Sequence, residues 1–164
     1  MNNNYGVDLS PIISGGNVVT SKKMNIKGQV QNMDVYKIPL NMLYYNDQND
    51  RIATEISKYE AEYGDISNLS KDDYNKQIES YIIKSDKQRF KDTMNNIKNF
   101  SQLEPGVVFL DGRLIDGNRR FTCLRKLFEE TGDQRFNYFE DVILYNNITP
   151  KEIKLMELVL QHGQ

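Results

Sequence analysis

Apolar side chains recur three or four positions apart through the middle of the chain, which is the spacing of one buried helix face. Residues 52–100 show this pattern and contain no proline. The spacing predicts a first helix that ends at Gly64, a second that begins after Ser70 as its N-cap, and a third. This third helix carries Phe90, Met94 and Ile97. The charges between the apolar positions alternate in sign, as on solvated helix faces, and indicate no function of their own.

After Pro105 the period of the apolar residues changes to two, which is typical of strands. Residues 107–110 and 113–116 flank the dipeptide Asp111-Gly112. This arrangement predicts a β-hairpin closed by a type I′ turn, because Asp-Gly readily adopts the positive φ angles that such a turn needs. A further strand is predicted from Phe139 to Tyr145.

Glycine and proline delimit the remaining elements. A helix is predicted from Gly117 to about Thr131, with Gly132 as its stop. Pro39 should end a strand over residues 35–40 or confine it to a sheet edge, because proline has no amide to donate to a neighbouring strand. Thr149-Pro150 predicts the start of a final helix, with threonine as its cap.

Strands and helices in this order predict an α+β domain with a small mixed β-sheet and surrounding helices. The domain is expected to span residues 34–164, with a helical insertion at about 55–90. Residues 1–33 are expected to be poorly ordered, because they combine Asn, Gly and Ser with little periodicity. Within them, residues 18–20 and Val30 are the positions that could join a sheet edge.

Composition narrows the class of protein. A chain of 164 residues has room for one domain, and its net charge of −2 excludes attraction to nucleic acid through bulk charge. Cys123 is its only cysteine, which excludes an internal disulfide and a CxxC metal site. No apolar run reaches the ~18 residues of a membrane span, and the first residues lack the pattern of a secretion signal. We therefore expect a cytoplasmic protein without a membrane partner.

The candidate chemistry lies where the second hairpin strand meets the following helix. Gly117 lets a ligand approach the main chain there, and the first amides of a helix can bind an anion. Arg119 and Arg120 fall in the first turn, where the helix dipole disfavours cations by roughly 0.3–1 kcal/mol each, so a bound polyanion would offset that penalty. Residues 111–126 carry five basic and two acidic residues, a local surplus of three positive charges. The alternative is that the two arginines pair with nearby carboxylates such as Glu129 or Asp116.

Two motifs surround this junction in a fixed order. Gln102-Leu103-Glu104-Pro105-Gly106-Val107 precedes the box Gly117-Asn118-Arg119-Arg120. The series resembles the N-terminal domain of ParB-type partition proteins, in which a Q-x-x-P-hydrophobic strand leads to a G-E-R-R box at a helix start. The likeness covers roughly residues 35–164 and extends to three further segments. These are Ile38-Pro39-Leu40, Asn49-Asp50-Arg51 in the place of the family's N-P-R, and Ile148-Thr149-Pro150.

The resemblance implies a ParB/sulfiredoxin-like fold that binds a nucleoside triphosphate, CTP or ATP, with room for Mg²⁺. The residues it assigns to the phosphates are Arg51, Gly117, Asn118, Arg119, Arg120 and Thr122. Asp116 is expected either to cap the helix or to hold the metal, and Gln161 and His162 are candidates to line the pocket. The implied setting is a DNA-maintenance system such as plasmid partition, or a mobile element. Regions outside this chain would then contact DNA, and the chain itself is compatible with a homodimer.

Two departures from the family pattern bear on catalysis. Asn118 replaces the glutamate of the box, and residues 161–164 stand where the family has an E-N-x-x-R motif. We therefore expect slow nucleotide hydrolysis or none, since phosphoryl transfer requires a metal and a residue that positions the nucleophile.

The main rival likeness is to ParB-fold restriction nucleases with a D-G-Q-Q-R-x-T box. Residues 116–122 match four of its six specified positions, including Thr122. The alternative function is therefore that of an enzyme on the same fold, either a nucleotide-stimulated nuclease or a small-molecule kinase. A third possible function is that of a pure interaction module. Sulfiredoxins carry a catalytic cysteine where Asn118 stands, whereas Cys123 is expected to be an inert core residue.

Overall fold

A five-stranded mixed sheet organises the chain. The computed structural model describes residues 5–102, 104–144, 151, 152 and 155. The strands are β1 (Val18–Ile26), β2 (Gln29–Pro39), β3 (Gly106–Phe109), β4 (Leu114–Asp116) and β5 (Tyr138–Leu144). They lie in the order β1-β2-β5-β3-β4, and neighbours are antiparallel except for the parallel pair β3 and β5.

Helices accompany the sheet, which confirms the predicted α+β class. In the described residues the α-helices are α1 (Ser10–Gly15), α2 (Ala53–Tyr63), α3 (Lys71–Ser85), α4 (Lys87–Phe100) and α5 (Asn118–Thr131). The helical stretch predicted over residues 52–100 is therefore confirmed, as is the stop at Gly64. The Ser70 hydroxyl accepts a hydrogen bond from the Asp73 amide (3.2 Å) and caps α3. Gly132, with a left-handed φ of 67°, ends α5 as predicted.

The sheet buries apolar side chains on both faces. On one face, Phe139 and Ile143 of β5 belong to the same core cluster as Phe121 of α5. On the other face, Val107 and Val142 belong to a second, smaller cluster. Because successive side chains of a strand point to opposite faces, residues 139, 141 and 143 all face α5.

The prediction of poor order is wrong for residues 10–33. They contain α1, β1 and the first part of β2, and the two strands form a hairpin across Lys27-Gly28. Both turn residues have positive φ, 53° and 82°, as a type I′ turn requires. The sequence did not predict this hairpin for two reasons. Most of the exposed positions of β1 are polar, and the turn of the hairpin lacks the usual Asn-Gly or Asp-Gly pair.

The hairpin predicted at Asp111-Gly112 is confirmed as β3 and β4, but its turn is not type I′. Only Gly112 of the loop has a positive φ, 89°. The Gly112 amide donates to the Phe109 carbonyl (2.9 Å), and the Phe109 amide donates to the Arg113 carbonyl (2.8 Å). These bonds close a three-residue loop, the next most common hairpin connection. β3 and β4 thus pair across a longer connection, Val107 with Asp116 and Val108 with Leu114, with an irregularity in the register between the two pairs.

Pro39 ends β2 as predicted, although β2 lies inside the sheet and not at its edge. The strand predicted over residues 139–145 is confirmed as β5. Lys151, Glu152 and Leu155 are helical, where a final helix was predicted. Its predicted cap Thr149 and the candidate pocket residues Gln161 and His162 lie outside the described residues.

Candidate functional site

Gly117 forms the junction between β4 and α5 and is the N-cap residue of α5. Its φ of 104° lies in the left-handed region, which favours glycine. A Cβ on this residue would also lie 2.7 Å from Cζ of Phe139 and 3.2 Å from Nη2 of Arg120. Phe139 and Arg120 therefore occupy the space beside this glycine, and the close approach of a ligand to its backbone stays a prediction. The prediction that Asp116 occupies the capping position is wrong, because the chain needs one more residue to turn from strand to helix.

Arg120 faces inward from the first turn of α5 and binds the protein itself. Its Nη2 lies 3.3 Å from Oδ2 of Asp116, and its Nη1 donates to the Glu104 carbonyl at 3.3 Å. The side chain is only 13% exposed and that of Asp116 only 8%. For this arginine the alternative prediction, an ion pair with Asp116, is the one that the structure shows.

Asp141 is a buried acid beside this pair. It lies on β5, is fully buried, and neither carboxylate oxygen has a hydrogen-bond partner among the described residues. Burial raises the pKa of Asp141 well above its ordinary value. The positive charge of Arg120 opposes that rise, and the negative charge of Asp116 adds to it. The pair and Asp141 thus form a polar cluster between the sheet and the start of α5.

Replacing Asp141 with Asn should change how stability depends on pH. With a raised folded pKa, native Asp141 keeps its proton at pH values where the unfolded chain has already lost it. The parent's free energy of unfolding should therefore fall as pH rises above about 4, by at most about 1.4 kcal/mol per pH unit, until the folded pKa is reached. Asp141→Asn removes this loss, so urea unfolding should show the variant gaining on the parent from about pH 3 to pH 7.

The exposed Glu130 provides the matched control, because Glu130→Gln removes a carboxylate from the surface of α5. Its stability relative to the parent should stay nearly constant over the same pH range. A constant difference for Asp141→Asn as well would show that Asp141 has an ordinary pKa.

Arg119 lies among other arginines. Burial lowers the pKa of its guanidinium, and the positive charges of Arg51 and Arg89 lower it further. The nearby acid that opposes them is Asp86, which already lies 3.6 Å from Nε of Arg89. Neither Arg51 nor Arg119 has a side-chain hydrogen bond or ion pair with another described residue. We call Arg51, Arg89 and Arg119 the arginine cluster.

Two contacts bring the arginine cluster together from three parts of the chain. The Cys123 thiol of α5 lies 3.7 Å from the Phe90 carbonyl of α4. Arg119 is one helical turn before Cys123 and Arg89 directly precedes Phe90, so both arginines lie near this helix crossing. The loop that leads to Arg51 is joined to α5 by a hydrogen bond of 2.6 Å between the hydroxyls of Tyr45 and Thr122.

Comparison with models of known protein families gives no match for this chain. No curated protein matches it either. Within the described residues, no helix is both long and apolar enough to cross a membrane. In the same part of the chain, no group of three or more His, Cys, Asp or Glu side chains is arranged to hold a metal ion. The function of the site is therefore inferred from its geometry and charge, together with the resemblance of its sequence motifs.

Thr122 is a core residue, so the prediction that it binds phosphate is wrong. It is fully buried, and its hydroxyl donates to the Asn118 carbonyl one turn earlier (2.7 Å). Since a hydroxyl has one proton, the Tyr45 hydroxyl must donate to Thr122. Thr122 therefore matches the nuclease box in residue type, but its role in this structure is structural.

Cys123 is confirmed as a buried residue of the core. Burial raises the pKa of its thiol to about 12, against an opposing effect of the Arg119 charge. A thiol with this pKa is protonated at neutral pH and is a poor nucleophile.

The local surplus of positive charge is spread over several faces. Arg125 and Lys126 both reach Glu79 of α3, at 3.3 and 3.7 Å. The Arg113 guanidinium lies over the Phe109 ring, 4.8 Å from its centroid. Arg119 is therefore the member of the predicted basic stretch that is left for a ligand.

One cleft of about 210 Å³ lies outside the predicted site, between α3 and α5. Lys71 and Arg125 line it, but Lys71 donates to the Asn41 carbonyl and Arg125 pairs with Glu79. Because these cations already have partners, we assign the cleft no ligand.

Sequence reasoning missed Arg89 and Asp141. Arg89 lay in a stretch of alternating charges that is typical of a solvated helix, so nothing local marked it. Asp141 did carry a signal. It alternates in phase with Phe139 and Ile143, and an acid at an inward position of an apolar strand is uncommon.

Proposed function

We propose that this chain is a phosphate-binding domain whose ligand is the polyphosphate of a nucleoside triphosphate. The observation that carries the proposal is the arginine cluster, in which the positive charges of Arg51 and Arg89 both act on Arg119 and Asp86 is the nearby acid. Like charges held near one another destabilise a protein unless counter-charges offset them, and Asp86 offsets only one of the three. A chain of phosphates is a ligand that supplies several negative charges at once.

The start of α5 adds backbone donors to the same region. The first intrahelical bond runs from the Phe121 amide to the Gly117 carbonyl (2.9 Å), so the amides of residues 118–120 precede it. Such amides and the positive end of the helix dipole favour an anion. Guanidinium groups bind phosphate through paired, charge-assisted hydrogen bonds. Arg119 and these amides would therefore bind one phosphate from two sides.

The resemblance to ParB-type domains supports a nucleotide, CTP or ATP, over a free polyphosphate. It assigned Arg51 and Arg119 to phosphates, and both belong to the arginine cluster. The buried Oδ1 of Asn118 has no hydrogen-bond partner among the described residues, but as an acceptor it does not bind a phosphate oxygen. A DNA-maintenance or mobile-element role is proposed on the same resemblance. Asp116 does not fit the role of a magnesium ligand, because it already pairs with Arg120. The proposed site therefore includes no metal.

Affinity should depend on the number of phosphates more than on the base, since the donors of the site all address phosphate oxygens. Calorimetric titration of mono-, di- and triphosphates of adenosine and cytidine checks this. We expect about a tenfold gain for each added phosphate, the worth of one good charge-assisted contact, and a smaller difference between the two bases. Equal affinity for all three phosphate lengths, or no binding, would contradict the proposal.

A further inference from the structure

We propose that the buried hydrogen bond between Tyr45 and Thr122 positions Arg51 opposite Arg119, so that both can hold one polyphosphate. Tyr45 and Thr122 are positioning residues in this view and touch no ligand themselves. The inference rests on the proposed function and names the contact on which the two-sided phosphate site depends.

The bond joins two parts of the chain that carry the two arginines. Thr122 lies one turn into α5, three residues after Arg119, and Tyr45 lies six residues before Arg51. Both side chains are fully buried, and the hydroxyl oxygens are 2.6 Å apart. The Thr122 hydroxyl also donates to the Asn118 carbonyl in the first turn of α5. The loop is thereby attached directly to the turn that would bind phosphate.

Hydrogen bonds hold the loop between Tyr45 and Arg51 near both of its ends. The attachment of Tyr45 to α5 therefore also constrains Arg51. The backbone of Tyr45 is held on both sides by α3, since its amide donates to Oδ1 of Asn75 (3.2 Å) and its carbonyl accepts from the Tyr74 hydroxyl (2.7 Å). Farther along, Oδ1 of Asn49 accepts from the Arg51 amide at 2.9 Å. This bond caps the short 3-10 helix Asp50–Ile52, in which Arg51 lies. Arg51 therefore lies in a short helix that is held on one side by the anchored Tyr45 and on the other by the fully buried Ile52.

The anchoring matters because Arg51 has no side-chain partner among the described residues to hold it in place. Its placement depends on its backbone alone, and a misplacement of about 1 Å is enough to weaken a charge-assisted contact strongly. The backbone anchors to Asn75 and Tyr74 fix the loop to α3, whereas the Tyr45 hydroxyl fixes it to α5. Since Arg119 belongs to α5, the hydroxyl contact is the side-chain hydrogen bond that links the loop of Arg51 to the helix of Arg119.

The test is a double-mutant cycle with inorganic tripolyphosphate as the probe, measured by calorimetry. In the parent chain, Arg51→Gln should lower affinity about tenfold, the usual worth of one charge-assisted contact. In a Tyr45→Phe/Thr122→Val background, Arg51→Gln should lower it by no more than about twofold, because Arg51 is no longer in place. Removing both hydroxyls together leaves neither one unpaired, so the melting temperature should change by only a few degrees.

Thr122→Ser serves as the matched control, because it keeps the hydroxyl and should preserve the tenfold effect of Arg51→Gln. Tyr45→Phe alone provides a second route if the double variant folds poorly, since the Thr122 hydroxyl stays bonded to Asn118. A tenfold effect of Arg51→Gln in both hydroxyl-deleted backgrounds would overturn the positioning role and leave the phosphate site standing. Absence of tripolyphosphate binding by the parent chain would overturn the phosphate site, and the positioning role with it.

Discussion

Replacing Arg119 with Gln is expected to lower the affinity for ATP or CTP by about 10- to 100-fold, which corresponds to the loss of one or two charge-assisted hydrogen bonds. The substitution removes a cation from the first turn of α5 and leaves Arg51 and Arg89 to hold the ligand. Because Arg119 has no side-chain partner among the described residues, stability should not fall. It should rise slightly, since one like charge leaves the arginine cluster. Calorimetric titration and urea unfolding of the same samples measure both quantities.

Two further arginines serve as controls. Arg135 is exposed and pairs with Asp133 at 3.7 Å, so Arg135→Gln should leave nucleotide affinity unchanged. Arg120→Gln should act on stability, lowering the free energy of unfolding by about 3 kcal/mol, because it leaves the buried Asp116 without its cation. If Arg119→Gln binds nucleotide as well as Arg135→Gln does, Arg119 is not a phosphate ligand.

Replacing Gly106 with Ala is expected to destabilise the fold by about 3 kcal/mol or more, at the upper end of what overpacking causes. Gly106 begins β3 in the interior of the sheet, next to Asp141 of β5. An added Cβ would lie 2.5 Å from Cζ of Phe139, 2.9 Å from the Asp116 carbonyl oxygen, and closer still to Oδ1 of Asp141. The Asp116 backbone and the buried ring have little freedom to move.

The effect should appear as a lower urea midpoint with an unchanged slope. Gly15→Ala is the matched control, because Gly15 lies in α1 and an added Cβ there meets only Nδ2 of Asn17, at an ordinary 3.9 Å. That variant should be neutral or more stable by up to about 1 kcal/mol, since alanine favours helix. Equal stability of the two variants would mean that the β3 site has room for a methyl group.

The elements that the sequence predicted well are those whose cause is local. The hairpin around Asp111-Gly112 and the end of α5 at Gly132 each depend on a few consecutive residues. The same holds for the cap at Ser70, where one hydroxyl and one amide three residues apart make the bond. The turn at Lys27-Gly28 is also local, but its residues are not the ones that usually mark a type I′ turn. Its strands, by contrast, depend on a distant contact, because β2 pairs with β5 far along the chain.

By itself, the sequence determined the class of the fold, the junction at Gly117 and the stretch of chain in which the candidate site lies. Only the tertiary structure decided what each arginine does. Neighbouring residues on a helix point about 100° apart, so Arg119 and Arg120 reach different surroundings. Arg120 pairs with Asp116 between the sheet and the start of α5, whereas Arg119 is subject to the positive charges of Arg51 and Arg89. Charges that are distant in sequence meet through the packing of α4 and α5 and through the Tyr45 contact, which no local pattern encodes.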